Sequence, residues 1–162
     1  ENALQGEVLG LICDGTGWGT DGAVWGGEIL RGDYRQFRRV AHLGYVPYPG
    51  GDINAQKPYR MGLIYMYSAL GEKGLAMADE ILPDLTGEEK NLMLSQMRTK
   101  TPANWTSSCG RLFDAVGAVL GVCGINKYEG QAAAELEARV DKTVHGHYGF
   151  ELLKDQDKKL FY

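Results

Sequence analysis

Apolar and polar positions change rhythm along this chain near residue 52: short apolar runs parted by glycine-rich turns give way to helical spacing. Val8-Leu9-Gly10-Leu11-Ile12-Cys13 is an apolar run closed by Asp14-Gly15, and it predicts a buried strand. Asp14 to Gly22 reads as a long glycine-rich turn, and Ala23 to Leu30 as the returning strand. Arg31-Gly32-Asp33-Tyr34 makes a second turn; as a Gly-Asp hairpin turn it needs no adhesion role. Tyr34 to Val46 alternates through Phe37, Val40 and Leu43, so residues 6–46 predict a meander of three antiparallel strands.

Pro47-Tyr48-Pro49-Gly50-Gly51-Asp52 breaks this regularity. Pro58 suits a first helical turn, and Met61, Ile64, Tyr65, Tyr67 and Ala69 follow it at helical spacing. Gly71 and Gly74 are expected to interrupt that helix before Leu75 to Leu82, and Pro83 to end the next. Thr86-Gly87-Glu88-Glu89 opens a further helix with acidic residues at its positive end. Ser107 or Ser108 caps another, with Leu112, Phe113, Val116, Val119 and Leu120 expected on its apolar face and Gly121 near its end. A last helix runs from about Gly130 through Ala132, Ala133, Leu136 and Val140. The polar remainder finishes on Lys159-Leu160-Phe161-Tyr162, which reads as a strand cut at its start. The division is a glycine-rich meander (1–52), a helical part (53–141) and a return segment (142–162). The fold class is therefore α/β.

Composition sharpens this in three ways. The chain of 162 residues carries 23 glycines, twelve of them within the first 51 positions, a density that implies tight turns or a ligand cradle. A net charge of −4 argues against nucleic acid as a partner, and no apolar run approaches the ~20 residues of a membrane helix. Cys13, Cys109 and Cys123 show neither paired spacing nor zinc-ligand spacing, so they read as small core residues and reduced thiols of a cytoplasmic protein. Glu1-Asn2-Ala3-Leu4 lacks an initiator Met, which suggests a piece of something longer.

Three places can carry chemistry. In Asp14-Gly15-Thr16-Gly17, glycine N–H groups and the Thr16 hydroxyl can meet phosphate oxygens, and Asp14 can hold a cation or orient water; an ordinary hairpin turn has the same sequence. Ser107-Ser108-Cys109-Gly110-Arg111 makes an anion-friendly helix start, where Arg111 can reach phosphate and Asp114 a ribose hydroxyl; spacing alone slightly favours a plain serine cap with a solvent-exposed Arg–Asp pair. Glu129 can accept hydrogen bonds from ribose or purine, with Gly130 permitting close approach, or it can simply complement a helix dipole. His145-Gly146-His147 lacks a third metal ligand nearby and reads as a surface turn, and His42 as a structural residue on a strand.

Together these segments resemble the HypF family of hydrogenase maturation carbamoyltransferases. The resemblance rests on Asp14 to Gly19, Asp21 to Glu28, Phe37-Arg38-Arg39, Pro49-Gly50-Gly51-Asp52, Ser107 to Val116, and Tyr128-Glu129-Gly130-Gln131-Ala132-Ala133, in the family's order. It implies the central part of the C-terminal carbamoyl-transfer domain, similar to the universal tRNA threonylcarbamoyl-modification protein, within the actin/sugar-kinase/Hsp70 class. It further implies an enzyme that uses carbamoyl phosphate and ATP to make carbamoyl-adenylate and passes the carbamoyl group to the C-terminal cysteine of HypE. Asp14 would then be catalytic and a ligand to a divalent metal. Gly15, Thr16, Gly17, Ser107, Ser108, Arg111, Asp114, Glu129 and Gly130 would line the nucleotide cleft.

The family's histidine cluster would lie before residue 1, and its later glycine motif and terminal Asp beyond Tyr162; His145 and His147 do not substitute for the former. The chain alone is therefore expected to lack transfer activity, to bind nucleotide weakly, and to self-associate through exposed sheet edges. The rival expectation is a non-catalytic interaction module in which residues 58–140 dock a partner protein and the polar groups are caps and turns. A kinase of the same fold class would need an acceptor site that the sequence does not offer.

Overall fold

The computed structural model describes residues 6–97 and 105–153. Strands β1 (Val8–Trp18), β2 (Val24–Gly32) and β3 (Phe37–His42) form the antiparallel meander, with β2 between the other two. The first hairpin closes where Gly19 N–H donates to Ala23 O (3.0 Å) and Gly22 N–H to Gly19 O (3.0 Å). At the second, the Asp33 carboxylate accepts from the N–H groups of Arg35 (2.8 Å) and Gln36 (3.0 Å), an Asx turn. The edge of β2 that carries β3 along Glu28–Gly32 also takes the short β5 (Trp105–Thr106) in parallel at Val24, and β5 in turn pairs with β4 (Val46–Pro47).

Among the described residues six helices follow the meander: α1 (Ile53–Gln56), α2 (Pro58–Leu70), α3 (Glu72–Ile81), α4 (Gly87–Met97), α5 (Cys109–Val119) and α6 (Gln131–Glu137). The core centres on α2, where every residue from Pro58 to Ile64 is buried and Met61, Leu63 and Ile64 are fully enclosed. A helix apolar on all sides belongs in the middle of a layer, and each such side chain contributes roughly 1.5–3 kcal/mol on burial. Buried Arg60 is tolerated there because its guanidinium donates to Asn54 Oδ1 (2.8 Å) and Glu89 Oε1 (2.5 Å).

The structure corrects several expectations. The Val8–Cys13 run is not buried: among the described residues β1 has β2 on one side only and no helix covers its length, and Leu9 and Leu11 are 68% and 74% exposed. Cys13 is likewise exposed rather than a core residue, while Cys123 is buried. β1 continues to Trp18, so Asp14–Gly17 is no hairpin turn; it lies in a bulge between the Cys13–Gly27 and Gly17–Trp25 pairs, and the chain reverses at Gly19–Gly22. β3 ends at His42, well short of the expected Val46, although Leu43 N–H still donates to Gly27 O in the same register (2.8 Å). Gly71, at φ 58°, breaks α2, whereas Gly74 lies inside α3, where a Cβ would sit 2.1 Å from Met66 O.

The face of α5 is turned relative to the expected one. Phe113, Val116 and Leu120 are exposed, and Arg111, Asp114, Ala115, Gly117 and Ala118 face inward. Helix α5 packs closely on α2 and α6, and only small residues fit: a Cβ on Gly62 would lie 3.5 Å from that of Ala118, and one on Gly117 3.2 Å from that of Ala132. Helix α6 ends at Glu137, leaving Val140 outside it and exposed. Residues 142–153 form no regular element, and the strand expected at Lys159–Tyr162 lies outside the described residues.

Candidate functional site

Strand β1 and the start of helix α5 meet along a seam. Ser108 is the N-cap of α5: its Oγ accepts from Arg111 N–H (3.1 Å) and directs its single hydrogen toward two carbonyls, Asp14 O and Gly15 O, each 2.8 Å away. The approach requires glycine on both sides. A Cβ on Gly110 would stand 2.8 Å from Gly15 Cα, and one on Gly26 2.3 Å from Asp14 O. The glycine segment and the serine helix start, 94 residues apart at Asp14 and Ser108, are thus in direct contact.

Behind this seam Ser107 is fully buried and donates from its hydroxyl to Glu28 Oε1. Glu28 is 1% exposed, and its Oε2 accepts from Gly26 N–H (2.6 Å) and Gly27 N–H (2.7 Å) while Arg39 Nη1 stands 3.8 Å from Oε1. A buried carboxylate is tolerable only when its oxygens are met by donors and its charge by a cation, and Glu28 has both. It is a buried structural carboxylate behind the seam, absent from the candidate residues that the sequence offers. The available signal was a charged side chain directly after Gly26-Gly27 inside an otherwise apolar strand.

Arg111 and Asp114 turn into the molecule rather than out toward solvent, at 5% and 2% exposure. Arg111 Nε lies 2.7 Å from Asp114 Oδ2, yet the approach is too oblique for a hydrogen bond and neither atom has another hydrogen-bond partner among the described residues. Burial pushes the Asp114 carboxyl above its usual range, against the pull of Arg111 and of Asn126. Asn126 Nδ2 donates to Asp114 Oδ1 (3.2 Å) and to Ala55 O (2.8 Å), and its Oδ1 accepts Ala132 N–H (3.0 Å) at the start of α6. Asn126, also unforeseen, therefore links α5, α6 and the end of α1.

The remaining candidate residues stand apart from this contact. Asp14 is exposed, with Oδ1 taken by Gly15 N–H (2.7 Å), and Thr16 is exposed on the bulge. Gly17 faces Trp25, where a Cβ would meet Trp25 O at 2.9 Å. Gly130 adopts φ 75°, the left-handed form that glycine takes freely, and Glu129 is exposed without a hydrogen bond or ion pair among the described residues. The described residues contain no group of three His, Cys, Asp or Glu able to hold a metal ion, and His145 and His147 are exposed. One exposed carboxylate does not by itself make a cation site; the other ligands expected beside Asp14 would come from outside this chain, and no chemical step is assigned to a metal.

An open hollow of about 600 Å³ lies elsewhere, lined by Thr20, Asp21, Trp25 and the stretch Arg35 to Arg39. Its floor is a polar cluster. Arg39 stacks 4.1 Å from the Trp25 ring centroid and donates to Asp21 Oδ2 (2.8 Å) and Tyr45 Oη (2.6 Å). Burial works against the Asp21 carboxylate, but donation from Tyr45, the Ala23 N–H and Trp25, with the charge of Arg39, prevails and lowers its pKa to about 2. At the seam, burial and the neighbouring Cys13 thiol both push the Cys109 thiol up.

A bulged glycine strand pinned to a serine-capped helix start, in a sheet backed by helices, defines a mixed α/β domain that presents backbone groups and a helix N-terminus side by side. A family model described as "Carbamoyltransferase, Kae1-like Domain, second subdomain" matches residues 10–160. The chain belongs to the HypF carbamoyltransferase family. It is 41% identical over 150 residues to carbamoyltransferase HypF of Rhizobium leguminosarum bv. viciae, covering 91% of this chain and 19% of that protein. Against carbamoyltransferase HypF of Rhodobacter capsulatus it is 42% identical over 140 residues, covering 85% and 18%.

Among solved structures, full-length HypF in the phosphate- and nucleotide-bound form superposes with a TM-score of 0.81 at 38% identity, covering 94% of this chain and 19% of that one. T.kodakarensis HypF gives 0.68 at 29% identity, covering 82% and 18%. The chain thus spans about a fifth of the length of these relatives. No helix among the described residues is long and apolar enough to cross a membrane.

Proposed function

We propose that this chain forms the nucleotide-gripping part of a cytoplasmic carbamoyltransferase that takes carbamoyl phosphate and ATP, proceeds through carbamoyl-adenylate, and carbamoylates the C-terminal cysteine of HypE in nickel–iron hydrogenase maturation. The observation that carries it is the Ser108 hydroxyl bridging Asp14 O and Gly15 O while capping α5. That contact sets the glycine bulge beside a helix N-terminus, where unpaired N–H groups favour phosphate oxygens. A relative solved in a phosphate- and nucleotide-bound form, similar along 94% of this chain, supports the same direction.

In the transfer step the acceptor sulfur forms a bond to the carbamoyl carbon, the carbon–oxygen bond to the adenylate phosphate breaks, and AMP leaves with that electron pair. The residues here would act by binding and orientation: Gly15, Thr16 and Gly17 toward phosphate, Ser107 and Ser108 by fixing the helix start, Glu129 and Gly130 toward the nucleoside. Arg111 and Asp114, buried against one another, would shape the wall rather than touch ligand. Because the chain matches about a fifth of its relatives' length, by itself it is expected to bind nucleotide weakly and to transfer no carbamoyl group.

The test is a titration with ATP and ADP, together with carbamoyl transfer to HypE, on the longer protein that carries this segment, comparing wild type with Asp14→Ala and Glu129→Ala. A loss of nucleotide affinity of at least ten-fold in either variant supports the assignment. If both retain wild-type affinity and transfer, the polar groups are caps and turns, and the helical part 58–140 is better explained as a docking module.

A further inference from the structure

Two of the three cysteines lie on opposite sides of the seam, in segments 96 positions apart that share no spacing motif: Cys13 immediately before Asp14, and Cys109 immediately after Ser108. Ser108 Oγ is 2.8 Å from the carbonyl of Asp14, and a Cβ on Gly110 would be 2.8 Å from Gly15 Cα, so the backbones flanking both cysteines are in contact. Burial raises the pKa of the Cys109 thiol, and the nearby Cys13 thiol adds to the rise. Cys13 is exposed, Cys109 is half-buried in the first turn of α5, and the third cysteine, Cys123, is buried with its thiol engaged by Ile125 O and Asn126 Oδ1 at 3.4 Å. An accessible thiol backed by a sheltered one is the arrangement of an attacking and a resolving cysteine.

We infer that Cys13 and Cys109 form a dithiol modification site that takes a low-molecular-weight disulfide and closes to an internal disulfide, locking β1 to the start of α5. The exposed Cys13 sulfur attacks one sulfur of the small disulfide; its S–S bond breaks, and one small thiol departs with a proton. Cys109 sulfur then attacks Cys13 sulfur, forming the internal bond and releasing the second small thiol with the second proton. Two cysteine thiols are oxidised, and one small disulfide is reduced to two thiols. The contact between the flanking backbones favours closure, since a disulfide requires Cα atoms within roughly 4.4–6.8 Å of one another. The lock falls on the contact that holds the glycine bulge against the helix, though the site itself stands whether or not nucleotide binds there.

Incubation of the full chain with oxidised glutathione, followed by thiol titration under denaturing conditions and peptide mapping without reductant, tests this. The titre should fall from the three cysteines of the sequence to one, with a linked pair of peptides carrying Cys13 and Cys109 and no retained glutathione. Cys109→Ser should trap glutathione on Cys13, and Cys13→Ser should accumulate neither product, with circular dichroism checking that each variant folds. The wild-type mapping needs no variant. A persistent glutathione adduct on wild-type Cys13, a linkage through Cys123, a disulfide between two chains, or three surviving thiols would overturn the proposal.

Discussion

Asp21 shows how a side chain near the surface acquires a defined role from its neighbours. Its carboxylate is 39% exposed, yet it accepts from Tyr45 Oη (2.6 Å), Trp25 Nε1 (2.9 Å), Ala23 N–H (3.1 Å) and Arg39 Nη2 (2.8 Å). These bonds favour the charged form and hold its pKa at about 2, below the usual 3.8. The sign follows from linkage: a carboxylate whose folded pKa is depressed adds stability that is complete above the unfolded value and fades as pH falls toward the folded one. Thermal melts of wild type and Asp21→Asn should therefore differ most above pH 4 and converge as pH approaches 2; a gap independent of pH over that interval would deny the carboxylate its part. Of the residues singled out from sequence, Ser108 and Gly130 adopt geometry that their type alone suggested, a hydroxyl cap and a left-handed glycine. Glu28 and Asn126 escaped notice because their importance lies in what folds onto them from distant segments.

Elements were legible where the period was strong. The β2 and β3 strands, α2 opened by Pro58, α3 ended at Leu82 before Pro83, and the α4 start capped by Thr86 Oγ1, which accepts Glu89 N–H (3.2 Å), each had a local signal. The face of α5 did not, because its apolar side chains suggest one stripe while the space beside α2 admits only small residues. Gly110 offers a direct measurement at this scale. Glycine in a helix costs about 1 kcal/mol relative to alanine, so Gly110→Ala would stabilise α5 were it isolated. Here the new Cβ meets backbone, Gly15 Cα at 2.8 Å and Asp14 O at 3.3 Å, and overpacking against atoms that cannot rotate away costs roughly 1–3 kcal/mol. Gly110→Ala is expected to lower the midpoint of denaturant unfolding, and a raised midpoint would show that β1 and α5 yield easily.

At the scale of the molecule, the outward length of β1 is uncovered among the described residues. Val8, Leu9, Leu11 and Ile12 on β1 are exposed, with Phe37 and Val40 on β3, while the relatives are about five times longer than this chain. Exposed apolar strands with an unpaired edge attract another copy. Sedimentation velocity of the chain should show a weight-average mass that rises with concentration, and Leu9→Lys with Leu11→Lys should suppress the rise. A monomer at every concentration would mean that the edge is blunted by means not evident in its composition.

Periodicity and turn chemistry by themselves determined the mixed α/β class, the meander and most helix starts, because hydrogen bonding and side-chain spacing over a few residues are enough to select a strand or a helix. Motif order likewise pointed to the HypF family. Tertiary structure alone decided that Asp14–Gly17 is a bulge rather than a turn, that β1 is exposed, that Arg111 and Asp114 point inward, and that the segments carrying Cys13 and Cys109 meet. Those outcomes depend on contacts between separate segments, from the β1–β2 pairing to the Asp14–Ser108 contact 94 positions apart, where space between backbones, rather than local preference, fixes which side chain fits.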